Sequence, residues 1–545
     1  MFGQMQDSPL LVSQLLEHAA TLYPEQVIAT KTVEGHWHEY NYKEAALRSR
    51  KLAQALLRLG VKDGDVIATM AWNTYRHFEC WYGISGMGAI LHTVNPRLFP
   101  EQLDYIINHA QDQYVFIDTT FVPLLEKLQA QLPHVKGYIL MTDVAHMPDT
   151  SLKNALCYET LIEQESGDFT WPVLDERQAT SICYTSGTTG NPKGVLYSHR
   201  SSILHSYAIT AKSMGNIDHE TCILPIVPMF HANAWGLVYA CAMTGAKVVL
   251  PGPHLDGKSV CQMVNQYEVD LTAAVPTVWT MLLQYLEESG ETLESLNSVL
   301  IGGSAVPRSM IEKFETVYGV EVWQAWGMTE MSPLGSLNKL SKQDKKLEYQ
   351  QQLDIKVKQG RPCFGVEMKI VDDNNTTLAN DGSAFGRLMV KGPWVVASYF
   401  KSDNSALEDD GWFDTGDVAT IDASGNMQIT DRSKDVIKSG GEWISSIDLE
   451  NAAMGHPDIQ EAAVIGVAHP KWEERPLLIV VPKDATNPPN MEHVLHFLND
   501  KVAKWWLPDD MVIVTDIPHT ATGKINKLGL RRQFKDYKLP ITQNA

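Results

Sequence analysis

Residues 184–195 read YTSGTTGNPKGV, and this stretch says more about the chain than any other. It holds three glycines, four aliphatic hydroxyl side chains and one lysine. Glycines let backbone N–H groups approach a phosphate closely, hydroxyls add donors, and Lys193 supplies positive charge. A surface turn is the plainer alternative. A Walker A loop needs Gly-Lys followed by Ser or Thr, whereas Pro192 precedes and Gly194 follows this lysine, which disfavours a P-loop NTPase. The stretch predicts a phosphate-binding loop.

The composition is that of a large globular enzyme. A chain of 545 residues exceeds what one hydrophobic core serves, so we expect two or more domains. The 45 basic and 65 acidic residues give a net charge of −20, which disfavours nucleic acid or an anionic membrane as the main partner. Seven scattered cysteines without a Cys-x-x-Cys pair predict free thiols. With no visible signal peptide and no apolar run of membrane-spanning length, we expect a cytoplasmic protein.

Helical and strand patterns alternate along the first 300 residues. A helical pattern over 42–59 precedes the strand Val66–Met70, one over 99–109 precedes the strand Tyr114–Ile117, and one at Gly257–Tyr267 precedes a strand over 271–275. Strands that alternate with helices are typical of an α/β fold with parallel sheets covered on both faces.

The alternation of predicted helices and strands ends at about residue 360. Short strands at Glu367–Val371 and over 387–391 predict a β-rich subdomain over about 360–431. The charged segment DRSKD at 431–435 is typical of a hinge between domains. We therefore predict a large domain over 1–431, a small mobile α+β domain over 432–545, and a hinge at 432–435.

Three further motifs carry chemistry. In WGMTE (326–330), Glu330 suits Mg²⁺ beside a phosphate and Thr329 suits donation to one, although a helix capped by Thr329 is an alternative. GWFDTGD (411–417) places Asp417 on a glycine turn suited to two ribose hydroxyls, with a plain β-hairpin as the alternative. Arg432 would complete the contacts with the ribose. Considered by itself, this arginine is better explained as part of a surface salt bridge. Lys524 in TATGKI (520–525) would be merely solvated without this context.

The order of these motifs resembles that of the adenylate-forming superfamily, which includes acyl-CoA synthetases, firefly-type luciferases and the adenylation domains of peptide synthetases. The resemblance spans about residues 10–540. It implies a two-step reaction in which a carboxylate attacks the α-phosphorus of ATP, and CoA thiol then displaces AMP from the acyl-adenylate. ATP, Mg²⁺ and CoA are the implied small molecules, and a homodimer is one expected assembly.

The resemblance assigns roles to particular positions. Lys524 stabilises charge in the first step, with Glu330 and Thr185 on Mg²⁺ and His231 beside the substrate carboxylate. The implied nucleotide contacts are Thr185, Ser186, Gly187, Thr188, Thr189 and Lys193 on the phosphates, Gly303, Ser304 and Ala305 beside adenine, Trp326, Gly327, Met328 and Thr329 at the aromatic wall, and Asp417 and Arg432 on the ribose. Trp326 stands where relatives usually have tyrosine, which keeps ring stacking and loses the phenol.

The resemblance also implies a domain rotation about Lys434. The rotation would withdraw Lys524 and bring in a segment that borders the pantetheine channel, formed by Lys438, Ser439, Gly440, Gly441 and Trp443. The implied acyl site consists of Trp235, Gly302 and Pro333 with His231, whose plain alternative is a satisfied core histidine. Because bulky Trp235 would shorten the acyl tunnel, we expect short- to medium-chain acids. The resemblance further implies 3-methylmercaptopropionate as one of them.

Several alternatives stay open at this stage. A long-chain fatty-acid ligase differs from this prediction only in the depth of the pocket, where one methylene is worth about 1–3 kcal/mol. An enzyme that loads a carrier protein would need a partner segment, and none is attached. A luciferase-type oxygenase shares every motif. A non-catalytic homologue would be expected to lose Lys524 or the phosphate loop, and both are present.

Overall fold

The computed structural model describes residues 1, 3–185, 191–432, 434–439, 442–499, 501–520 and 524–540. Two large sheets dominate the N-terminal part, with strands and helices numbered here in chain order. The first has the order β7-β6-β5-β3-β4-β8-β9. Its strands are β3 (Val66–Met70), β4 (Ile90–Thr93), β5 (Tyr114–Ile117), β6 (Gly137–Leu140), β7 (Ala155–Cys157), β8 (Ala179–Tyr184) and β9 (Gly194–Ser198).

The second large sheet has nine strands in the order β16-β15-β14-β13-β12-β10-β11-β1-β2. Its strands are β1 (Val27–Lys31), β2 (Trp37–Asn41), β10 (Cys222–Pro225), β11 (Lys247–Leu250), β12 (Leu271–Ala274), β13 (Ser298–Ile301), β14 (Glu321–Gly327), β15 (Leu334–Asn338) and β16 (Arg361–Pro362).

Both sheets are parallel at their centres, as predicted. The nine-stranded sheet is antiparallel at both of its edges, whereas the seven-stranded sheet is antiparallel only at the β9 edge. Strand β9 runs antiparallel to β8, and β15 runs antiparallel to β14. In each pair the connecting segment is too short for the crossover that parallel strands require. These two connections, 185–193 and 328–333, are the segments that carry the phosphate-loop motif and Glu330.

Helices cover the sheets, and two of them are buried between neighbours. Every residue of α3 is buried, and α8 is apolar around most of its circumference, as expected for helices without a solvent face. The helices are α1 (Val12–Leu22), α2 (Tyr42–Arg58), α3 (Tyr75–Gly86), α4 (Pro100–Ala110), α5 (Val122–Leu128), α6 (Tyr158–Glu163), α7 (His199–Thr210), α8 (Leu237–Thr244), α9 (Gly257–Tyr267), α10 (Pro276–Ser289), α11 (Arg308–Val317), α12 (Tyr349–Lys356), α13 (Ser446–Ala453), α14 (Met491–Leu498) and α15 (Lys527–Gln533).

Two smaller sheets follow in the chain. An antiparallel four-stranded sheet comprises β17 (Glu367–Val371), β18 (Phe385–Lys391), β19 (Phe413–Ile421) and β20 (Met427–Arg432). Asp417 therefore lies within a strand rather than on the expected turn. The last sheet comprises β21 (Ile437–Ser439), β22 (Glu442–Ile444), β23 (Ile459–His469), β24 (Glu473–Pro482) and β25 (Asp510–Ile513). The chain is thus an α/β protein with a large N-terminal part of mixed sheets and a smaller C-terminal part.

Two sequence-level expectations can be compared directly with the structure. All seven cysteines are free, and six of them are buried. Among the described residues, no helix is both long and apolar enough to cross a membrane.

Candidate active site

A cavity of about 620 Å³ lies where the two hairpin connections meet β19, β20 and the lysine near the C-terminus. Its volume is within the usual range for a small-molecule site. Many of the residues that the sequence singled out line it together: Thr185, Lys193, His231, Trp235, Gly302, Gly303, Trp326, Gly327, Met328, Thr329, Glu330, Pro333, Arg432, Lys434 and Lys524.

Positive charge is concentrated in this cavity although the whole chain is acidic. Among the described residues, five basic side chains line its wall, Lys193, Arg387, Arg432, Lys434 and Lys524, against three acidic ones, Glu330, Asp414 and Asp435. Cations gathered in a cleft favour a polyanionic ligand, because low-dielectric walls focus the field between them. The arrangement therefore suits a nucleoside triphosphate.

The phosphate-loop motif is closed at its base by two hydrogen bonds between Thr185 and Lys193. The backbone N–H of Thr185 donates to the carbonyl of Lys193 at 2.9 Å, and the N–H of Lys193 donates to the Thr185 hydroxyl at 3.3 Å. Asn191 lines the cavity beside them. The predicted phosphate contacts Ser186, Gly187, Thr188 and Thr189 lie outside the described residues.

Asp417 lies behind the cavity wall, where it holds two residues that line the cavity. Its Oδ2 accepts from the indole N–H of Trp326 at 3.0 Å, and its Oδ1 pairs with Nε of Arg432 at 2.8 Å. Strand pairing sets this up, because Asp417 and Arg432 are directly opposite each other on β19 and β20. The Trp326 ring lies against Gly335, where an added Cβ would come within 2.4 Å of the ring.

Glu330 is a buried carboxylate on a short 3₁₀ turn, Thr329–Met331. The Tyr399 hydroxyl donates to its Oε1 at 2.9 Å, and the Tyr197 hydroxyl donates to the Thr329 carbonyl at 2.6 Å. Burial raises the pKa of Glu330, while the Tyr399 hydrogen bond and the charges of Arg432 and Lys524 oppose that rise.

The residues present fit a magnesium ion shared with substrate phosphates. The described part of the chain has no group of three or more His, Cys, Asp or Glu side chains that could hold a metal by itself. Mg²⁺ commonly binds through one or two carboxylates together with substrate phosphates. Glu330 and the Thr185 hydroxyl bring such hard oxygen ligands to one cavity.

Lys524 reaches the cavity from the C-terminal part of the chain. The N–H of Thr520 donates to the carbonyl of Lys524 at 2.7 Å, and His519 forms a bridge with Ile525. His519 is also tied to Glu461 of β23 at 2.7 Å. Burial, helped by the nearby charge of Arg432, lowers the pKa of Lys524 to about 8. Lys524 therefore remains mostly charged at neutral pH.

The predicted acyl wall sits on a rare backbone conformation. Four consecutive non-glycine residues, from Ala232 to Trp235, have φ between 43° and 57°. L-residues rarely adopt this left-handed region, so the turn is strained. An added Cβ at Gly302 would come within 3.1 Å of the Trp235 ring, so the indole packs on Gly302.

His231 and His205 flank this turn and are neutral. Burial lowers the pKa of His231 to about 4, with further lowering by Lys524 and Arg97. Burial lowers the pKa of His205 to about 3. His205 Nε2 accepts from the N–H of Leu334 at 3.1 Å, while its ring leaves no room for a Cβ at Gly236. His205 thus joins the acyl turn to the segment after Pro333.

Hydrogen bonds connect the two sides of the predicted hinge. Asp431 accepts from the N–H of Ser446 at 2.8 Å and from its hydroxyl at 2.6 Å. The Lys434 carbonyl accepts from Arg531 at 2.9 Å, and Arg531 also pairs with Asp435. Burial and the charges of Arg432 and Arg531 lower the pKa of Lys434.

Some predicted residues do not line the cavity. Ser304 and Ala305 follow Gly303 in the loop after β13 but do not reach the cavity wall. Lys438 and Ser439 lie on β21, where Ser439 accepts from Arg475 at 3.2 Å. Gly440 and Gly441 lie outside the described residues, and Trp443 lies in β22.

Several residues that shape the site could not be identified from local sequence patterns. Tyr399, Tyr197 and His205 act through contacts to residues far away in the chain, so spacing carries no trace of them. Gly335 lies two residues after Pro333. Only its contact with the Trp326 ring in the structure shows why a side chain is excluded there.

Comparisons with known proteins agree with this geometry. Residues 16–400 match the AMP-binding enzyme family, and residues 448–524 match the AMP-binding enzyme C-terminal domain. The chain is 49% identical to a 3-methylmercaptopropionyl-CoA ligase of Ruegeria lacuscaerulensis, over 98% of this chain and 99% of that protein. It is 47% identical to a medium-chain-fatty-acid–CoA ligase of Ectopseudomonas oleovorans, over 99% of this chain and 98% of that protein.

The fold is likewise that of a solved ligase. An anthranilate CoA ligase in complex with anthranoyl-AMP superposes with a TM-score of 0.86 at 24% identity, covering 97% of this chain and 99% of that one. The chain therefore belongs to the AMP-binding enzyme family and is an acyl-CoA ligase.

Proposed function

We propose that this ligase converts short- to medium-chain carboxylic acids, 3-methylmercaptopropionate among them, into acyl-CoA through an acyl-adenylate. The observation that carries the proposal is that a single cavity is lined both by Lys193, Glu330 and Lys524 and by Trp235, whose ring packs on Gly302. Relatives named for 3-methylmercaptopropionyl-CoA and medium-chain acyl-CoA formation support the choice of substrate.

In the first half-reaction, a carboxylate oxygen attacks the α-phosphorus of ATP and pyrophosphate leaves. Two anions must approach each other, so preorganised positive charge lowers the barrier. We assign that role to Lys524 at the reacting phosphate and to Lys193 on the outgoing phosphates. Glu330 and Thr185 would hold Mg²⁺, which when bound would neutralise phosphate charge. Asp417, Arg432 and Trp326 would hold the nucleoside.

In the second half-reaction, the CoA sulfur attacks the acyl carbonyl carbon and AMP leaves as an anion. Adenylation is needed because a free carboxylate has no competent leaving group. Lys524 occupies the cavity in this structure, whereas Lys438 and Ser439 do not. We therefore propose that this arrangement serves adenylation, and that rotation about Lys434 exchanges the two faces for thioester formation.

Trp235 supports the proposed chain length. Its ring packs on Gly302 and lines the cavity, and a buried aromatic side chain covers about 150–250 Å². A long acyl tail would require this ring to move. A long-chain ligase is the second candidate, and it would require Trp235 to swing aside.

The test is pyrophosphate release across a panel of acids, with CoA present and absent. We expect butyrate, hexanoate and 3-methylmercaptopropionate to give higher kcat/KM than palmitate, with sustained turnover only when CoA is present. Turnover that needs a carrier protein instead, or light emission with oxygen uptake, would indicate the other classes. A highest kcat/KM on palmitate would return the assignment to a long-chain ligase.

Trp235→Ala sharpens the test, with Trp235→Phe as the matched control. The alanine variant should shift its preference toward longer acids and weaken binding of short ones, since a short tail would lie in an oversized cavity. The phenylalanine variant should keep most of the wild-type preference.

Three further expectations remain predictions from the sequence: the domain boundary at 431/432, a homodimeric assembly and a cytoplasmic location.

A further inference from the structure

A short segment, residues 396–400, bridges the two halves of the phosphate site, and we call it the 396–400 bridge. The N–H of Val396 donates to the carbonyl of Glu330 at 2.8 Å. Four residues later, the N–H of Phe400 donates to the carbonyl of Gly194, also at 2.8 Å. One end of the bridge is therefore fixed to the carboxylate turn and the other to the first residue after Lys193.

Tyr399 on this bridge contacts both functional side chains. Its hydroxyl donates to Oε1 of Glu330 at 2.9 Å, and Nζ of Lys193 lies 4.7 Å from the centre of its ring. Both functional residues and Tyr399 line the same cavity. The ring contacts the lysine and the hydroxyl contacts the carboxylate. The contact with the carboxylate can therefore be removed while the contact with the lysine is kept.

The position of Tyr399 is fixed from both sides. Gly194 permits the close approach, because an added Cβ there would come within 3.1 Å of Phe400. Lys401 donates to the carbonyl of His109 at 2.7 Å and to the side chain of Gln111 at 3.1 Å. These contacts hold the bridge against the end of α4, which packs beside β8.

We propose that Tyr399 is a positioning residue that sets the Glu330 carboxylate for the metal and the Lys193 ammonium for the outgoing phosphates. The proposal rests on the roles given above to Glu330 and Lys193. With Oε1 oriented by the phenol, the carboxylate can present its other oxygen to a cation. Groups that orient a metal ligand commonly change metal affinity by about 10- to 100-fold when they are removed.

The experiment compares Tyr399→Phe, Tyr399→Leu and the exposed-surface control Tyr207→Phe in the full-length enzyme. Mn²⁺ binding is measured by electron paramagnetic resonance with α,β-methylene-ATP, whose α,β bridge cannot be cleaved and which therefore cannot transfer AMP to the acid. Binding of the same nucleotide is also measured with EDTA and no metal. Circular dichroism melting checks that each variant is folded.

We expect Tyr399→Phe to weaken Mn²⁺ binding about tenfold while leaving metal-free nucleotide binding near wild type. Tyr399→Leu should weaken both, because it also loses the contact with the lysine, worth about threefold. Tyr207→Phe should match wild type. Wild-type Mn²⁺ affinity in Tyr399→Phe, or identical behaviour of the two Tyr399 variants, would overturn the proposal.

The two half-reactions separate this inference from the proposed function. The control Tyr207→Phe should form acyl-CoA from synthetic acyl-AMP at the wild-type rate. The Tyr399 variants should lose far less in that step than in adenylation, since thioester formation needs neither the metal nor the outgoing phosphates. Failure of the wild-type enzyme in that assay would refute the ligase mechanism itself. An equal loss in both steps, confined to the Tyr399 variants, would refute only the positioning role.

Discussion

The indole of Trp326 donates a hydrogen bond to Asp417, and the other oxygen of that carboxylate pairs with Arg432. The tryptophan is therefore more than a stacking surface, because its N–H also orients this carboxylate. A carboxylate held on both oxygens keeps one orientation and still has lone pairs for a ligand.

Trp326→Phe should keep an aromatic wall and lose this hydrogen bond. A hydrogen bond to a charged group contributes about 1.5–3 kcal/mol, so we expect kcat/KM for ATP to fall by about tenfold or more. The preference for ATP over 2′-deoxyATP should also narrow, because Asp417 would no longer be aimed at the ribose. Trp323→Phe, on the same strand but without contact to Asp417, is the control. An unchanged preference for the ribose would argue against the orienting role.

Lys524→Ala should separate the two half-reactions. Overall ligation is expected to fall by about 10²–10⁴, because one preorganised charge that stabilises the first transition state is gone. Supplied with synthetic acyl-AMP and CoA, the same variant should form acyl-CoA near the wild-type rate. Stopped-flow or quenched-flow measurement of each step checks this. Equal damage to both steps would mean that one face of the C-terminal part serves both reactions.

Adenylation should weaken in alkaline solution. Burial lowers the pKa of Lys524 to about 8, so its ammonium loses the proton as pH rises through that value. The kcat/KM for adenylation, which reports the free enzyme, should fall about tenfold for each pH unit well above 8. Lys524→Arg stays charged and should lack this alkaline limb at whatever rate it retains. Persistence of the limb in that variant would assign it to another group.

Lys434→Pro should block the rotation while sparing adenylation. Proline fixes φ at the pivot and restricts the preceding residue. Pyrophosphate release in a single turnover is expected to survive, and CoA consumption is expected to collapse. Lys434→Ala, which loses the charge and keeps the backbone freedom, is the control. Normal thioester formation in the proline variant would place the pivot elsewhere.

Local structure was largely predictable from the sequence. The strands Val66–Met70, Tyr114–Ile117 and Glu367–Val371 and the helix Gly257–Tyr267 lie where periodicity and turn residues place them. The antiparallel edges were not predicted, because alternation of helices and strands says nothing about a strand that returns through a short loop. Yet those two returns carry the phosphate motif and Glu330.

The candidate site was predictable only where motifs are contiguous. Lys193, Trp326, Glu330 and Lys524 stand in recognisable local patterns, and the structure brings them to one cavity. Tyr399 contacts Glu330 from 69 residues away, and nothing local to either residue indicates the pairing. Such contacts depend on how the four-stranded sheet packs against the two large ones, which pattern reasoning does not reach.

The left-handed turn that carries Trp235 sets stability against selectivity. Each non-glycine residue in that conformation costs about 1–2 kcal/mol, and four of them follow one another. Glycine in place of Ala234 would adopt the same backbone conformation with little strain, but the Trp235 indole would then be held less rigidly. Laboratory evolution toward heat resistance would therefore favour glycine substitutions in this turn. Evolution toward a sharp acyl-length cutoff would instead keep the present non-glycine residues.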